Sequence, residues 1–103
     1  MATRYALNVT FRFLPESVPN FLEGFKPVHR RLRKEPLLLS FDIGQSTEDP
    51  GLVRFIETWK CEPKDIMAVI QSDYFKDFLA NNKTLVTEPT KVEFFKITED
   101  WKI

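Results

Sequence analysis

Three side chains of this 103-residue chain could move a proton or orient a substrate oxygen: His29, Trp59 and Tyr74. His29 is the only histidine. It follows Phe25 by four residues and precedes Leu32 by three, so on a helix it shares their face. An imidazole exchanges protons near neutral pH, which suits it to act as a general base on a phenolic or enolic proton. The alternative is a partly exposed histidine at a basic helix end, His29-Arg30-Arg31-Leu32-Arg33-Lys34, where cations complement the macrodipole. Trp59 alternates with Glu57, Phe55 and Val53 onto one strand face, where its indole N–H could orient a ligand or its ring could be structural. Glu57 would be expensive inside without a partner. It is either a buried acid or base, or a hydrogen-bonded carboxylate at a dimer contact; Arg54 points to the other face. Tyr74, near the start of the helical segment Ser72–Phe78, could orient a substrate oxygen or occupy a rim. Phe25, Phe41, Phe55 and Phe78 are the candidate ring contacts for a flat apolar ligand.

Other chemistries find little support. One histidine, one cysteine and no clustered carboxylates give no metal-ligand spacing. Three scattered glycines form no phosphate loop. Cys61 alone can form no intrachain disulfide, fits a reducing compartment, and lies far in sequence from the histidine a thiol nucleophile would need. Fifteen basic residues balance fifteen acidic ones, so no positive field is expected to hold nucleic acid. No apolar run reaches the length of a membrane span, and the N-terminus enters a strand pattern without a signal-like segment. The expectation is a soluble cytoplasmic protein without metal or cofactor.

The elements that must position these residues form one domain, residues 1–103. Tyr5, Leu7, Val9, Phe11 and Phe13 alternate with shorter or polar residues, the period of a strand with one apolar face. Pro15 ends it, and Ser17 is placed to cap a helix carrying Val18, Phe21, Leu22, Phe25, Val28 or His29, and Leu32 at helical spacing. Pro27 inside that pattern predicts a kink. Leu37, Leu39, Phe41 and Ile43 alternate in a second strand. The turn Ser46–Gly51 joins it to a third, Leu52–Lys60. Pro63 opens a helix to about Gln71, and Ser72 or Asp73 caps another with Phe75, Phe78 and Leu79 as its buried stripe. After the loop Thr87–Thr90, Val92–Thr98 is the last strand, and Trp101-Lys102-Ile103 an apolar tail. The order β-α-β-β-α-(α)-β is the α+β, ferredoxin-like split βαβ pattern, a four-stranded antiparallel sheet with helices on one face. The other face carries Ala6, Thr10, Leu38, Leu52 and Ile56 among polar residues, which invites a second copy packed sheet to sheet, with the tail reaching across.

With that order in hand, the chain resembles the antibiotic biosynthesis monooxygenase (ABM) family of dimeric α+β barrels. The matching pieces are the first strand ending in Pro15-Glu16, the helix ending in Arg33-Lys34-Glu35-Pro36, and the strand Leu39-Ser40-Phe41-Asp42-Ile43. Thr47-Glu48-Asp49-Pro50-Gly51, Phe55-Ile56-Glu57-Thr58-Trp59 and Ser72-Asp73-Tyr74-Phe75-Lys76-Asp77-Phe78 complete the set, and the Phe-rich wording is nearest that of fungal members. The resemblance implies a homodimer with a pocket in each subunit between helices and sheet. Several members oxidise aromatic polyketides or quinols with O₂ and without metal or flavin; others degrade haem, act on small signalling molecules, or have no known activity. The chain departs from the pattern. Ala68 and Val69 fall where many members carry a histidine, and Tyr74 where a second often stands. Leu79 falls at the ligand histidine of haem-degrading members and Val9 nearest their first-strand asparagine, although Asn8 is adjacent; with no imidazole offered at the ligand place, haem ligation is not expected.

The leading expectation is a homodimer that binds a small apolar or aromatic metabolite, such as a polyketide or quinol, and oxidises it without a cofactor, with His29 as base and Trp59 and Tyr74 as orienting donors. The alternatives are an isomerase, cyclase or decarboxylase in the same pocket, or a ligand-binding protein without catalysis.

Overall fold

The computed structural model describes residues 3–101 and 103. Strand β1 spans Tyr5–Arg12, helix α1 Val18–Leu32, strands β2 and β3 Leu38–Gln45 and Leu52–Trp59, helices α2 and α3 Pro63–Ile70 and Asp73–Asn81, and strand β4 Lys91–Lys96. The strands form one sheet in the order β2-β3-β1-β4, every neighbouring pair antiparallel. Leu7, Val9 and Phe11 of β1 and Val53, Phe55, Glu57 and Trp59 of β3 turn to the same side, where they meet the buried faces of the helices. The split βαβ order is the one the hydrophobic periods predict.

Helix α1 buries Val18, Phe21, Phe25, Val28 and Leu32, the three- and four-residue spacing of a single helical stripe. It runs through Pro27, which lies on the exposed side. Ser17 does not cap it: a 3₁₀ turn, Pro15–Ser17, leads directly into the helix, and the Ser17 side chain makes no cap hydrogen bond. Ser72 does stand at the N-cap of α3, but its hydroxyl donates to the Val69 carbonyl instead of accepting from the helix.

Two further departures from the sequence reading concern the sheet. A bulge between Leu38 and Ser40 sets Leu38 opposite Trp59 and Ser40 opposite Thr58. Leu38 therefore joins the core side with Phe41 and Ile43, instead of the bare side. One inserted residue shifts the period of two, and no alternation count can see that. The place of Leu38 on the bare side is taken by Phe95 of β4, opposite Ala6 and 49% exposed. Ile56, 43% exposed, and the partly exposed Leu52 share that side.

Gly51 closes the β2–β3 connection where the chain passes Phe13. Its carbonyl accepts from the Phe13 amide at 2.8 Å, and a Cβ at Gly51 would lie 2.1 Å from the Phe13 carbonyl oxygen. Beside it, Arg12 pairs with Asp49 and reaches Glu88 at 3.2 Å, tying the turn and the loop before β4 to β1. In the tail, Glu99–Trp101 is a 3₁₀ turn held to Arg4 through Glu99, with Trp101 exposed; Lys102 lies outside the described residues.

Candidate functional site

The helix-covered side of the sheet contains an apolar cavity of about 220 Å³. Its floor is Val9 and Phe11 of β1 and Val92 of β4, paired to Val9. Its walls are Phe21 of α1, Ile70 at the end of α2, and Phe75 and Leu79 of α3. Asn82, Lys83, Val86 and Thr90, from the connection between α3 and β4, complete the lining on the exposed side. That connection is tethered: Phe13 and Val86 form a β-bridge, and the Thr87 amide donates to the Arg12 carbonyl at 2.8 Å. The Asn82 side-chain amide donates to the Phe78 carbonyl at 2.8 Å. Lys83 has no ion-pair partner among the described residues. The lining includes no carboxylate, histidine, tyrosine or cysteine.

The residues singled out from sequence lie elsewhere. Phe25, Phe55 and Phe78 are buried and packed on one another, with Phe25 at 4.6 Å from Phe55 and 5.1 Å from Phe78. Phe41 joins them at 5.5 Å from Phe25 and 5.3 Å from Phe55. Such rings fill space by tilted and edge contacts, and they line no part of the 220 Å³ cavity. His29 is half-buried beside this group, its ring 5.7 Å from Phe41 and 6.2 Å from Phe25. It borders an open hollow with Arg33, Leu38, Leu39, Ser40 and Phe41. Tyr74 borders a different hollow with Gly24, Val28 and Asp77. Its hydroxyl donates to Glu35 at 3.4 Å, and Arg31 lies 4.3 Å over its ring. Burial, then the Glu35 charge, pushes the Tyr74 phenol up. Cys61 is likewise pushed up by burial and by Asp65, Glu62 and Glu35, away from thiolate chemistry.

Trp59 is fully buried, and its indole N–H is engaged: it donates to Glu57 Oε1 at 2.9 Å. Glu57 is 2% exposed, and its other oxygen, Oε2, has no hydrogen-bond partner among the described residues. Burial pushes its carboxyl up to about 7, opposed only in part by the Trp59 N–H. Glu57 pairs across to Leu7 on β1 and Phe41 on β2. Because Val9 pairs with Phe55, Glu57 is the diagonal neighbour of Val9 on the inner face, roughly 7–8 Å away by sheet geometry. It is thus a titratable group next to the cavity floor without being part of the lining.

A family model described as "Antibiotic biosynthesis monooxygenase" matches residues 4–81, from the first strand to the end of the last long helix. The chain belongs to the ABM family. Among solved structures similar to this ABM chain is a conserved protein from Methanosarcina mazei Go1, with TM-score 0.84 and 20% identity over 94% of this chain and 95% of that one. Another, from Nitrosomonas europaea and named "Putative antibiotic biosynthesis monooxygenase", has TM-score 0.83 and 23% identity over 94% of this chain and 92% of its own. At these identities the likeness is one of fold. A protein of Pestalotiopsis microspora named "Putative monooxygenase" is 23% identical over 82 residues, 79% of this chain and 68% of its own length.

Val9 and Leu79 both line the cavity and present hydrocarbon there. Among the described residues no three His, Cys, Asp or Glu side chains gather closely enough to hold a metal ion, and no helix is long and apolar enough to cross a membrane. The residue whose environment sequence alone left open is Glu57. The signal was the strand alternation that puts it between Phe55 and Trp59, with no cation on the same face.

Proposed function

We propose that this ABM protein is a homodimer that binds an apolar aromatic metabolite in the 220 Å³ cavity and oxidises it with O₂ without a cofactor. The observation that carries the reading is the cavity itself, a hydrocarbon-lined space under the helices of an ABM fold with polar groups only on its exposed side. Oxidising a ring methylene to a carbonyl uses one O₂: one oxygen atom enters the substrate and the other leaves as water. The first requirement is loss of a proton, because the resulting anion can give an electron to O₂. Glu57 fits that role better than His29. Its carboxyl titrates at about 7, its Oε2 is unpartnered, and it neighbours the cavity floor, whereas His29 borders a separate hollow. Trp59 then acts on Glu57 by holding Oε1, and Tyr74 stays outside the site. Oxygen-electrode measurements with one- and two-ring phenols and quinols test this. Uptake matched by product is expected; no uptake above the buffer rate with any of them overturns the oxidative reading.

One observation favours a second reading, binding without catalysis: among the described residues the lining holds no carboxylate, histidine, tyrosine or cysteine, and its one titratable group is the exposed Lys83. Tight binding with the ligand recovered unchanged from aerated solution would select it. The dimer reading rests on the bare sheet face with Ile56 and Phe95. Sedimentation at twice the 12.1 kDa chain mass, lost in an Ile56→Lys, Phe95→Glu double variant, is the expected result.

A further inference from the structure

We infer that the ligand of this cavity is an aromatic acid of one or two rings, its rings held by the apolar walls and its anionic oxygens set against Lys83. The inference rests on the cavity assigned above as the binding site, and binding alone can judge it. Size comes first. An apolar protein cavity of roughly 150 Å³ accommodates benzene. At about 220 Å³ this one has room for a substituted ring or two fused rings. A third ring would need the space of Phe21, Phe75 or Leu79. Phe21 packs at 4.5 Å from Phe13 and 5.3 Å from Phe78, so enlarging the cavity means repacking the core.

Polarity comes second. One N–H of the Asn82 amide is committed to the Phe78 carbonyl, and Lys83 is the only charged residue among the described residues of the lining. It comes from the exposed side, where an ionised group keeps part of its hydration while meeting the ammonium. A carboxylate deeper in the cavity would meet only hydrocarbon, so the charge of the ligand must stay at the Lys83 end. The polar end of the ligand is thereby fixed, and the far end of its ring system is directed at the buried floor formed by Val9 and Phe11.

Calorimetric titration under nitrogen with naphthoate, naphthol and anthracenecarboxylate tests this. The protein should bind naphthoate and should fail to bind the three-ring acid. Lys83→Met should weaken naphthoate binding about tenfold, equivalent to about 1.4 kcal/mol, and leave the affinity for uncharged naphthol unchanged. Leu79→Trp, shown folded by an unaltered circular-dichroism spectrum, should bind neither. Equal naphthoate affinity in the Lys83→Met variant, anthracenecarboxylate binding as tightly as naphthoate, or naphthoate binding undiminished in Leu79→Trp would each overturn the inference. A hydroxynaphthoate, which carries the phenolic proton the oxidation needs, bound as described but never oxidised in air would uphold it and remove the oxidative reading alone.

Discussion

The space beneath the helices has two halves that differ in how they are filled. Over β2 and β3, the rings of Phe25, Phe41, Phe55 and Phe78 pack against one another with centroids 4.6–5.5 Å apart. Over β1 and β4 there is a cavity whose apolar lining mixes Val, Ile and Leu side chains with those of Phe11, Phe21 and Phe75. Aromatic side chains are the residues a flat ligand would stack on, but they are also large enough to satisfy one another. Where several converge on a central strand they close the gap between layers. The hollow survives over β1 and β4, where α3 ends at Asn81 and the connection to β4 closes the space with smaller side chains. A ring-rich core and a ring-binding pocket are therefore different places in this molecule.

The largest expected effect of breaking that comparison is on stability. Phe25→Ala removes a ring that touches Phe41, Phe55, Phe75 and Phe78, and should cost about 3–5 kcal/mol in urea unfolding. Leu79→Ala, on a half-buried wall that already faces empty space, should cost less than about 2 kcal/mol, because few packing contacts are lost on its open side. Equal losses would mean the hollow half is as tightly packed as the ring-filled half.

Next in size is a pH effect from Glu57, which sits between the two halves. Its carboxyl is raised from the ordinary 4.5 to about 7 by burial, so between those values the folded chain holds a proton that the unfolded chain has released. Stability therefore falls as pH rises through that window, and the contribution is fully present only below about 4.5. The loss between about pH 5 and pH 8 should be about 2–3 kcal/mol in chemical denaturation. Glu57→Gln cannot ionise, so its stability should vary little across the same range, and it should exceed the parent only at the alkaline end. A parent curve that is flat would show that Glu57 is solvated or paired in solution. If Glu57 also takes the substrate proton, the variant should lose turnover while still binding ligand.

Much of the fold was legible because periodicity reports it directly. Leu7, Val9 and Phe11 at a period of two, and Phe21, Phe25, Val28 and Leu32 at helical spacing, read correctly as one sheet face and one helix stripe. Leu38 did not, because a bulge changes register without changing composition. The cavity was hardest to see. Its lining draws on all three helices, two strands and a loop, and Lys83, Val86 and Thr90 look in sequence like ordinary connecting residues. Free volume depends on how side chains fail to meet, which no single segment encodes. The Glu57–Trp59 hydrogen bond lies between these extremes. Alternation puts both side chains on one face, but the unpartnered Oε2 is visible only in three dimensions.

The smallest expected effect is also the most direct probe of the hollow half. Leu79→Phe enlarges a wall residue that has empty space before it, so it should raise stability by about 0.5–1 kcal/mol, the usual return from filling a cavity. In the ring-filled half the same kind of enlargement, Val53→Phe on the inner face of β3 beside buried Phe55, should cost about 1–3 kcal/mol through overpacking. The opposite signs follow from one physical difference, whether the added atoms find space or displace neighbours. Thermal denaturation of both variants under identical conditions measures it. Leu79→Phe should weaken naphthoate binding even as it stabilises the fold, since the protein and the ligand would then compete for the same volume. Destabilisation by Leu79→Phe equal to that by Val53→Phe would mean that the wall has no room to spare, and the site between β1, β4 and α3 would have to be abandoned.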